Sequence, residues 1–228
     1  MTVFNRRWIP VLLGFNGGYV DTVGFLALNG LFTAHVTGNF ATLGAALVMG
    51  ESGTIDKALA LPVFCLTIGL LRLFSYFLVK IKVDAYGAML VIKLFLLSLG
   101  ALLAIQYSPF IDGNSIIAIT TGLIFVAAMA IQNAVHRAHL FNNAPTTAMT
   151  LTITQVMLDV GDLLHGVNSE KKSEIYFRLK SMIPAVIIFA VGCAIGALFF
   201  NAVRMWSFLV PPVILICLIW INQAQREL

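Results

Sequence analysis

The sequence predicts an all-α protein that crosses a membrane several times, and three observations carry that prediction. Of 228 residues, 60% are hydrophobic and 11% charged, with a mean hydropathy of +0.95; a soluble domain is about 45–50% apolar and about 25% charged. Apolar stretches recur from residue 9 to residue 221 instead of forming one anchor. Basic residues gather between those stretches, the pattern that orients a chain in a bilayer. A water-soluble chain of this length has no core large enough to hide so much apolar surface.

A helix needs about 20 apolar residues to cross the hydrocarbon layer. The first candidate covers 9–28, although Gly14, Asn16, Gly17, Gly18 and Asp21 make it unusually polar. Arg6-Arg7 ahead of it resembles a signal-peptide start, but no A-x-A-like site follows, so 1–28 reads as an uncleaved first span. The next segment, 31–49, is long enough to cross yet rich in Thr and polar groups. Spans follow at 59–78, 86–105 and 116–135. Segment 146–164 is again Thr-rich and ambiguous. Spans at 182–200 and at 208–221 with its flanks complete the set. The mixed-charge stretch 168–180 reads as a short cytoplasmic surface helix. Trp8, Trp206 and Trp220 sit near span ends, where amphipathic rings anchor in the headgroup region.

The two Thr-rich segments are either full spans, giving eight, or re-entrant helices, giving six spans plus two. Among the 14 Lys and Arg residues, only Arg72 and Lys93 fall inside spans. With re-entrant elements and an inside N-terminus, Arg6, Arg7, Lys80, Lys82, Arg137, Lys171, Lys172, Arg178, Lys180 and Arg226 are cytoplasmic. Only Lys57 and Arg204 are then outside. Eight full spans put Lys80 and Lys82 on the wrong side, so the positive-inside rule favours six plus two, with both termini cytoplasmic. Geometry is compatible. Nine residues from 28 to 37 reach about 30 Å when extended, beyond the half-thickness of about 15 Å. A helix over 39–50 returns about 18 Å. The second element has the same proportions, 142–150 and then 152–164.

The chain also reads twice, with one repeat over about 8–106 and a second over about 115–222 in a single transmembrane domain. Asp21 near the end of the first span matches Asn133 near the end of the fourth, and Thr37 matches Thr150 one residue out of step. Leu61-Pro62 matches Ile183-Pro184 more loosely. Three spans and one re-entrant element per repeat would invert the second copy, as in many transporters; eight full spans would leave the copies parallel.

Asp21 is the first candidate for chemistry, because a carboxylate inside a span is costly and marks a pathway or a paired charge. It reads either as a coupling carboxylate at the repeat interface or as a salt bridge to Arg72 or Lys93, which otherwise snorkel. Gly17-Gly18 beside it permits unwinding or close packing. Asn133 is its neutral isostere, with Gln132 adjacent. In His35-Val36-Thr37-Gly38-Asn39, Thr or Asn suits a helix cap, Gly38 a sharp turn, and the free N–H groups an anion or negative dipole. Thr150 and Thr152 would cap the opposing half-helix, so that two helix starts meet near the midplane. The alternative is that these groups bond helices together. His35 reads as a packing residue or a proton-handling one. Asp159 and Asp162 share a helix face, and pairing with Lys171, Lys172, Arg178 or Lys180 is their expected role, with a cation-attracting vestibule as the alternative.

Other classes find little here. No basic face with interleaved aromatics exists for nucleic acid. Cys65, Cys193 and Cys217 lie in apolar runs without metal or redox spacing and read as buried core residues. His136-Arg137-Ala138-His139 lacks an accompanying carboxylate or Cys and reads as a basic headgroup-contacting loop. There is no GxSxG, HExxH or P-loop, so an enzyme is not expected, and no cofactor or metal is implied.

Gly18-Tyr19-Val20-Asp21, Phe32-Thr33-Ala34-His35-Val36-Thr37-Gly38-Asn39, Gln132-Asn133-Ala134 and Pro145-Thr146-Thr147 together resemble the YoaK family of bacterial membrane proteins. The resemblance covers nearly the whole chain. Family members tend to repeat Thr-Gly in the second half, where this chain has Leu151. The resemblance implies a multi-pass protein of the bacterial plasma membrane and carries no biochemical activity with it. The function expected from the residues is a secondary transporter or facilitator for a small polar or anionic solute, with proton coupling an option. Asp21 would couple, while His35, Thr37, Gly38, Asn39, Gln132, Asn133, Thr150 and Thr152 form or support the site. The partners are the lipid bilayer and that solute, and a homo-oligomer is compatible with the sequence. The alternative is a non-transporting scaffold or regulatory subunit.

Overall fold

A computed structural model describes residues 8–140, 144–147 and 149–224, of which the side chains of Trp8 and Ala224 are not described. Among the described residues the chain forms α1 (Trp8–Ala27), α2 (Gly38–Met49), α3 (Thr54–Lys80) and α4 (Ala85–Tyr107). Four more follow: α5 (Ile116–His139), α6 (Met149–His165), α7 (Ser169–Val203) and α8 (Val210–Ala224). A 3₁₀ segment, Arg204–Leu209, precedes α8.

Five helical stretches are long and apolar enough to cross a membrane: Ile9–Ala27, Thr54–Lys80, Ala85–Tyr107, Ile116–His139 and Ser169–Gln223. The last runs for 55 residues and contains α7, the 3₁₀ segment and most of α8. Helix α2 is apolar but has only 12 residues, about 18 Å of rise against a layer of about 30 Å. Local sequence sets several boundaries. The side chains of Asp84, Ser115 and Asn168 accept the N–H groups of Gly87, Ala118 and Lys171, capping α4, α5 and α7. Gly50, in the left-handed region at φ 68°, closes α2.

Packing puts α1 against α7 and α5 against both α3 and α4, while α2 lies on α3 and α6 on α7. The α1–α7 seam is a backbone contact. A Cβ on Gly18 would lie 2.2 Å from the Phe189 carbonyl oxygen, and one on Gly192 would lie 2.3 Å from that of Phe15. Small residues permit this approach in a membrane, where no hydrophobic force draws helices together and close packing must do so. Behind it, Phe125 stacks on Phe208 at 4.5 Å and its ring covers Gly100. Leu66, Leu73, Phe95, Leu102, Leu198 and Trp220 face outward, which suits lipid and not water. The molecule is thus an all-α, multi-pass membrane protein.

At one end of the bundle, Asn29, Gly53 and Gly113 meet. A Cβ on Gly113 would lie 2.7 Å from Asn29 Nδ2 and 2.8 Å from the Gly53 nitrogen, and Lys57 Nζ donates to the Asn29 carbonyl at 2.6 Å. The end of α1, the start of α3 and the α4–α5 turn therefore share one end.

Several sequence expectations are corrected. Of the two options for the glycines of α1, close packing holds and unwinding does not. Residues 168–180 form no separate surface helix, since α7 continues through them from Ser169 to Val203. His136-Arg137-Ala138-His139 is the last turn of α5, not a loop. Cys65 and Cys217 are exposed on the outer surface, because their helices turn those faces away from the core. Arg6, Arg7, Asn142, Arg226 and the side chain of Trp8 lie outside the described residues; Trp206 and Trp220 are exposed, as interfacial anchors would be.

Candidate functional site

After Ala27 the chain turns back along α1. Asp21, only 4% exposed, becomes the acceptor that holds the returning loop. Its Oδ1 receives the backbone N–H groups of Ala34 at 2.6 Å and His35 at 3.3 Å, with the Thr33 hydroxyl at 3.5 Å. Its Oδ2 lies 2.6 Å from Nδ1 of His35. A carboxylate so enclosed needs concentrated donors or a counter-charge, and this loop supplies the donors. The contact lies seven residues before Leu28, so the loop descends about 10 Å beside α1. Gly24 makes room for it, as a Cβ there would lie 2.7 Å from Thr33 Cγ2. The His35 ring sits edge-on to Phe32 and Phe189, and its side chain is 38% exposed. The pair is therefore buried on the carboxylate side and open on the imidazole side.

The salt bridge from Asp21 to Arg72 or Lys93 does not form. Arg72 lies over the Tyr76 ring at 4.5 Å. Lys93 does not snorkel: it is fully buried and donates to Gln132 Oε1 at 2.5 Å. Gln132 is a hub, with Nε2 donating to the Leu13 carbonyl at 2.8 Å and to Thr146 Oγ1 at 3.2 Å. It ties α1, α4, α5 and the second loop together. Asn16, fully buried in α1, has no hydrogen-bond partner for either amide atom among the described residues.

The second loop repeats the arrangement without a titratable group. The Thr147 hydroxyl donates to Asn133 Oδ1 at 2.6 Å, and the two are 14 residues apart, the separation of His35 from Asp21. Thr37 does not cap α2 with its side chain; it is itself helical in backbone and exposed. Asn39 caps nothing either. Its Oδ1 accepts the Phe32 N–H and its Nδ2 donates to the Phe32 carbonyl, both at 2.8 Å, so it clips the loop shut. Gly38 packs against the Phe32 ring. Thr150 is exposed and Thr152 buried in the first turn of α6. Each of the two short helices packs on the long helix that follows it.

A cavity of about 650 Å³ lies beside the second loop, lined among others by Asn133, His136, Arg137, Thr147, Leu151 and Arg178. A smaller one of about 340 Å³ shares Ala144, Phe177 and Ser181 with it. Neither is lined by a residue of the first loop.

Sequence reasoning missed one buried acid and the depth of another. Asp56 is 2% exposed and accepts the Lys57 N–H at 2.7 Å; it lies in the first turn of α3, ahead of the stretch 59–78 read as a span. Asp159 was expected to pair, and it does. Arg178 grips it through Nε at 3.1 Å and Nη2 at 2.7 Å, while Lys171 meets Asp162 at 2.9 Å. Depth was the part not foreseen, since Asp159 is 1% exposed. The Arg178 hydrogen bonds hold the Asp159 carboxyl below its ordinary range, against the opposing pull of burial. A depressed folded value means that this stabilisation is complete above the unfolded carboxylate value of about 3.9 and disappears as pH falls through the folded one. The thermal midpoint of the detergent-solubilised protein should therefore drop below about pH 4. Arg178→Gln should lower the midpoint at pH 7 and make the acid drop shallower; an unchanged acid limb would contradict this account.

Among the described residues no group of three or more His, Cys, Asp or Glu side chains is placed to hold a metal ion. An apolar helical bundle that folds two loops onto polar residues of α1 and α5 defines a multi-pass membrane protein with a buried polar centre. The chain belongs to the family described as Protein of unknown function (DUF1275), whose model matches residues 9–221, in agreement with the YoaK-like motifs. No curated protein and no solved structure matches it.

Proposed function

We propose that the protein is a secondary transporter or facilitator for a small polar or anionic solute, with Asp21 as its coupling carboxylate. The observation that carries this reading is the Asp21–His35 pair, at 2.6 Å, buried on one side and open on the other. A carboxylate and an imidazole in contact can exchange a proton and respond to it, and ionisable groups at this depth are retained for such work. The site has a neutral counterpart in Asn133 and Thr147. One half then carries the proton and the other only hydrogen bonds. No catalytic role is assigned to these groups.

The architecture in this reading is six spans and two re-entrant helices, α2 and α6, in two inverted repeats. The shared location of Asn29, Gly53 and Gly113 supports it, since a full span between α1 and α3 would separate Asn29 from Gly53. The packing pattern supports the repeat: α1 lies on α7 as α5 lies on α3, and α2 lies on α3 as α6 lies on α7. Single cysteines replacing Glu51 and Ser169, both exposed, test it in a cysteine-free background. An impermeant maleimide should label them from opposite faces of the membrane; labelling from one face would overturn the six-plus-two arrangement.

Asn39 favours the scaffold alternative, because both its amide atoms are spent on Phe32. A solute screen in proteoliposomes separates the two readings. Flux above that of empty liposomes, with a pH dependence that Asp21→Asn removes, is expected for the transporter. Flux equal to empty liposomes for every solute would leave the scaffold.

A further inference from the structure

We infer that the cavity of about 650 Å³ beside the second loop binds a monoanionic acid with an apolar body, its acid group held by Arg137. This names the solute class of the transport reading and rests on that reading for the cavity's role.

The charge balance of the lining gives the anion. Both arginines reach the cavity, but Arg178 is already spent, its Nε and Nη2 on Asp159 and its Nη1 on Glu174 at 2.8 Å. Arg137 has no carboxylate partner among the described residues. The adjacent His136 Nδ1 is shielded from solvent and has no hydrogen-bond partner among the described residues. Water does not reach that atom, so the exposed Arg137 guanidinium is the group that meets the acid. Among the described residues no carboxylate lines the cavity to compete. Thr147 has already given its proton to Asn133, so its oxygen can only accept.

One uncompensated cation fixes the charge at one. A dianion's second charge would have no cation of its own, and a neutral isostere would lose the charge-assisted hydrogen bonds to the exposed Arg137 guanidinium. The walls fix the rest of the ligand. Phe64, Ile68, Leu151, Phe177 and Met182 offer apolar surface, and the volume falls among small-molecule sites, at about 300–1,000 Å³. Inorganic anions have nothing to place there. A free organic acid and the phosphodiester of a phospholipid share the required chemistry, so the source is left to the experiment.

The test is calorimetric titration of the delipidated full-length protein with benzoate, its neutral isostere benzamide, and the dianion succinate. Benzoate should bind at least tenfold more tightly than either. Arg137→Gln should erase the preference over benzamide, and Arg137→Lys should keep part of it, since a lysine supplies charge without the guanidinium fork. Equal affinity for benzoate and benzamide, or a preference surviving in Arg137→Gln with an unchanged thermal midpoint, would overturn the inference. Phosphatidylglycerol is the lipid arm. Its retention by wild type but not by Arg137→Gln, with loss of benzoate binding, would assign the same anion site to a headgroup. Benzoate selectivity without flux in the solute screen would remove the transport reading and leave this site standing. Flux without benzoate selectivity would do the reverse.

Discussion

Asp21→Ala is expected to cost about 3–5 kcal/mol, enough to consume most of the stability of a typical domain. The carboxylate is the shared acceptor for the N–H groups of Ala34 and His35, the Thr33 hydroxyl and the His35 ring. Removing it strands those donors where water has little access. The loop from Leu28 to Thr37 would then lose its attachment to α1. Asp21→Asn should behave differently. Its amide oxygen can still receive the Ala34 N–H, and its NH₂ can donate to a His35 ring nitrogen after a tautomer change. Asn133 already serves the second half in this neutral form. The Asn variant should therefore keep a thermal midpoint close to wild type while its flux loses all dependence on pH. Thermal unfolding in detergent and flux in proteoliposomes measure the two effects separately. Wild-type pH dependence in Asp21→Asn would remove Asp21 from coupling, and a stable Asp21→Ala would show that the loop is held by something else.

Gly18→Ala and Gly192→Ala carry the second large effect, each about 3 kcal/mol, at the upper end of the cost of overpacking. The atoms their Cβ groups would meet are backbone carbonyl oxygens at 2.2 Å and 2.3 Å. A side chain can rotate out of the way, but a helix backbone moves only as a body. Relief must come from separating α1 and α7, the most extensive helix pair in the molecule. Gly69→Ala is the matched control, because nothing lies within 4 Å of its Cβ position and alanine is the better helix former. The expected order of thermal midpoints is Gly69→Ala at or above wild type, with both seam variants well below it. Similar midpoints for all three would mean that the seam is not close-packed.

Much of this was legible because it depends on local composition. Each predicted span has its helix within a few residues, except where continuity hid an end. The charged residues from Glu170 to Lys180 argued for a surface element, yet α7 runs through them because Asn168 caps it and nothing interrupts it before Val203. Asp21 and Asn133 were singled out as matching positions. Their partners were not, since His35 lies 14 residues from Asp21 with an irregular turn between them, and no helical or strand period covers that separation. Thr37 and Asn39 show the converse. Their residue types suit a cap, but the backbone of Thr37 is already helical and the Asn39 amide finds the Phe32 backbone first.

Charge shows the division most plainly. With 11% charged residues, the sequence by itself determined a multi-pass, all-helical membrane protein in which any buried charge must matter. That follows from the cost of exposing apolar surface to water and of taking ions out of it, and neither depends on how the helices pack. Which charges are buried, and what answers them, only the tertiary structure decided. Asp21 answers to His35, Lys93 to Gln132 and Asp159 to Arg178, and the last two links join elements 39 and 19 residues apart. Hydrogen bonds reach about 3 Å, so partners are chosen by helix packing and loop return, which composition does not encode.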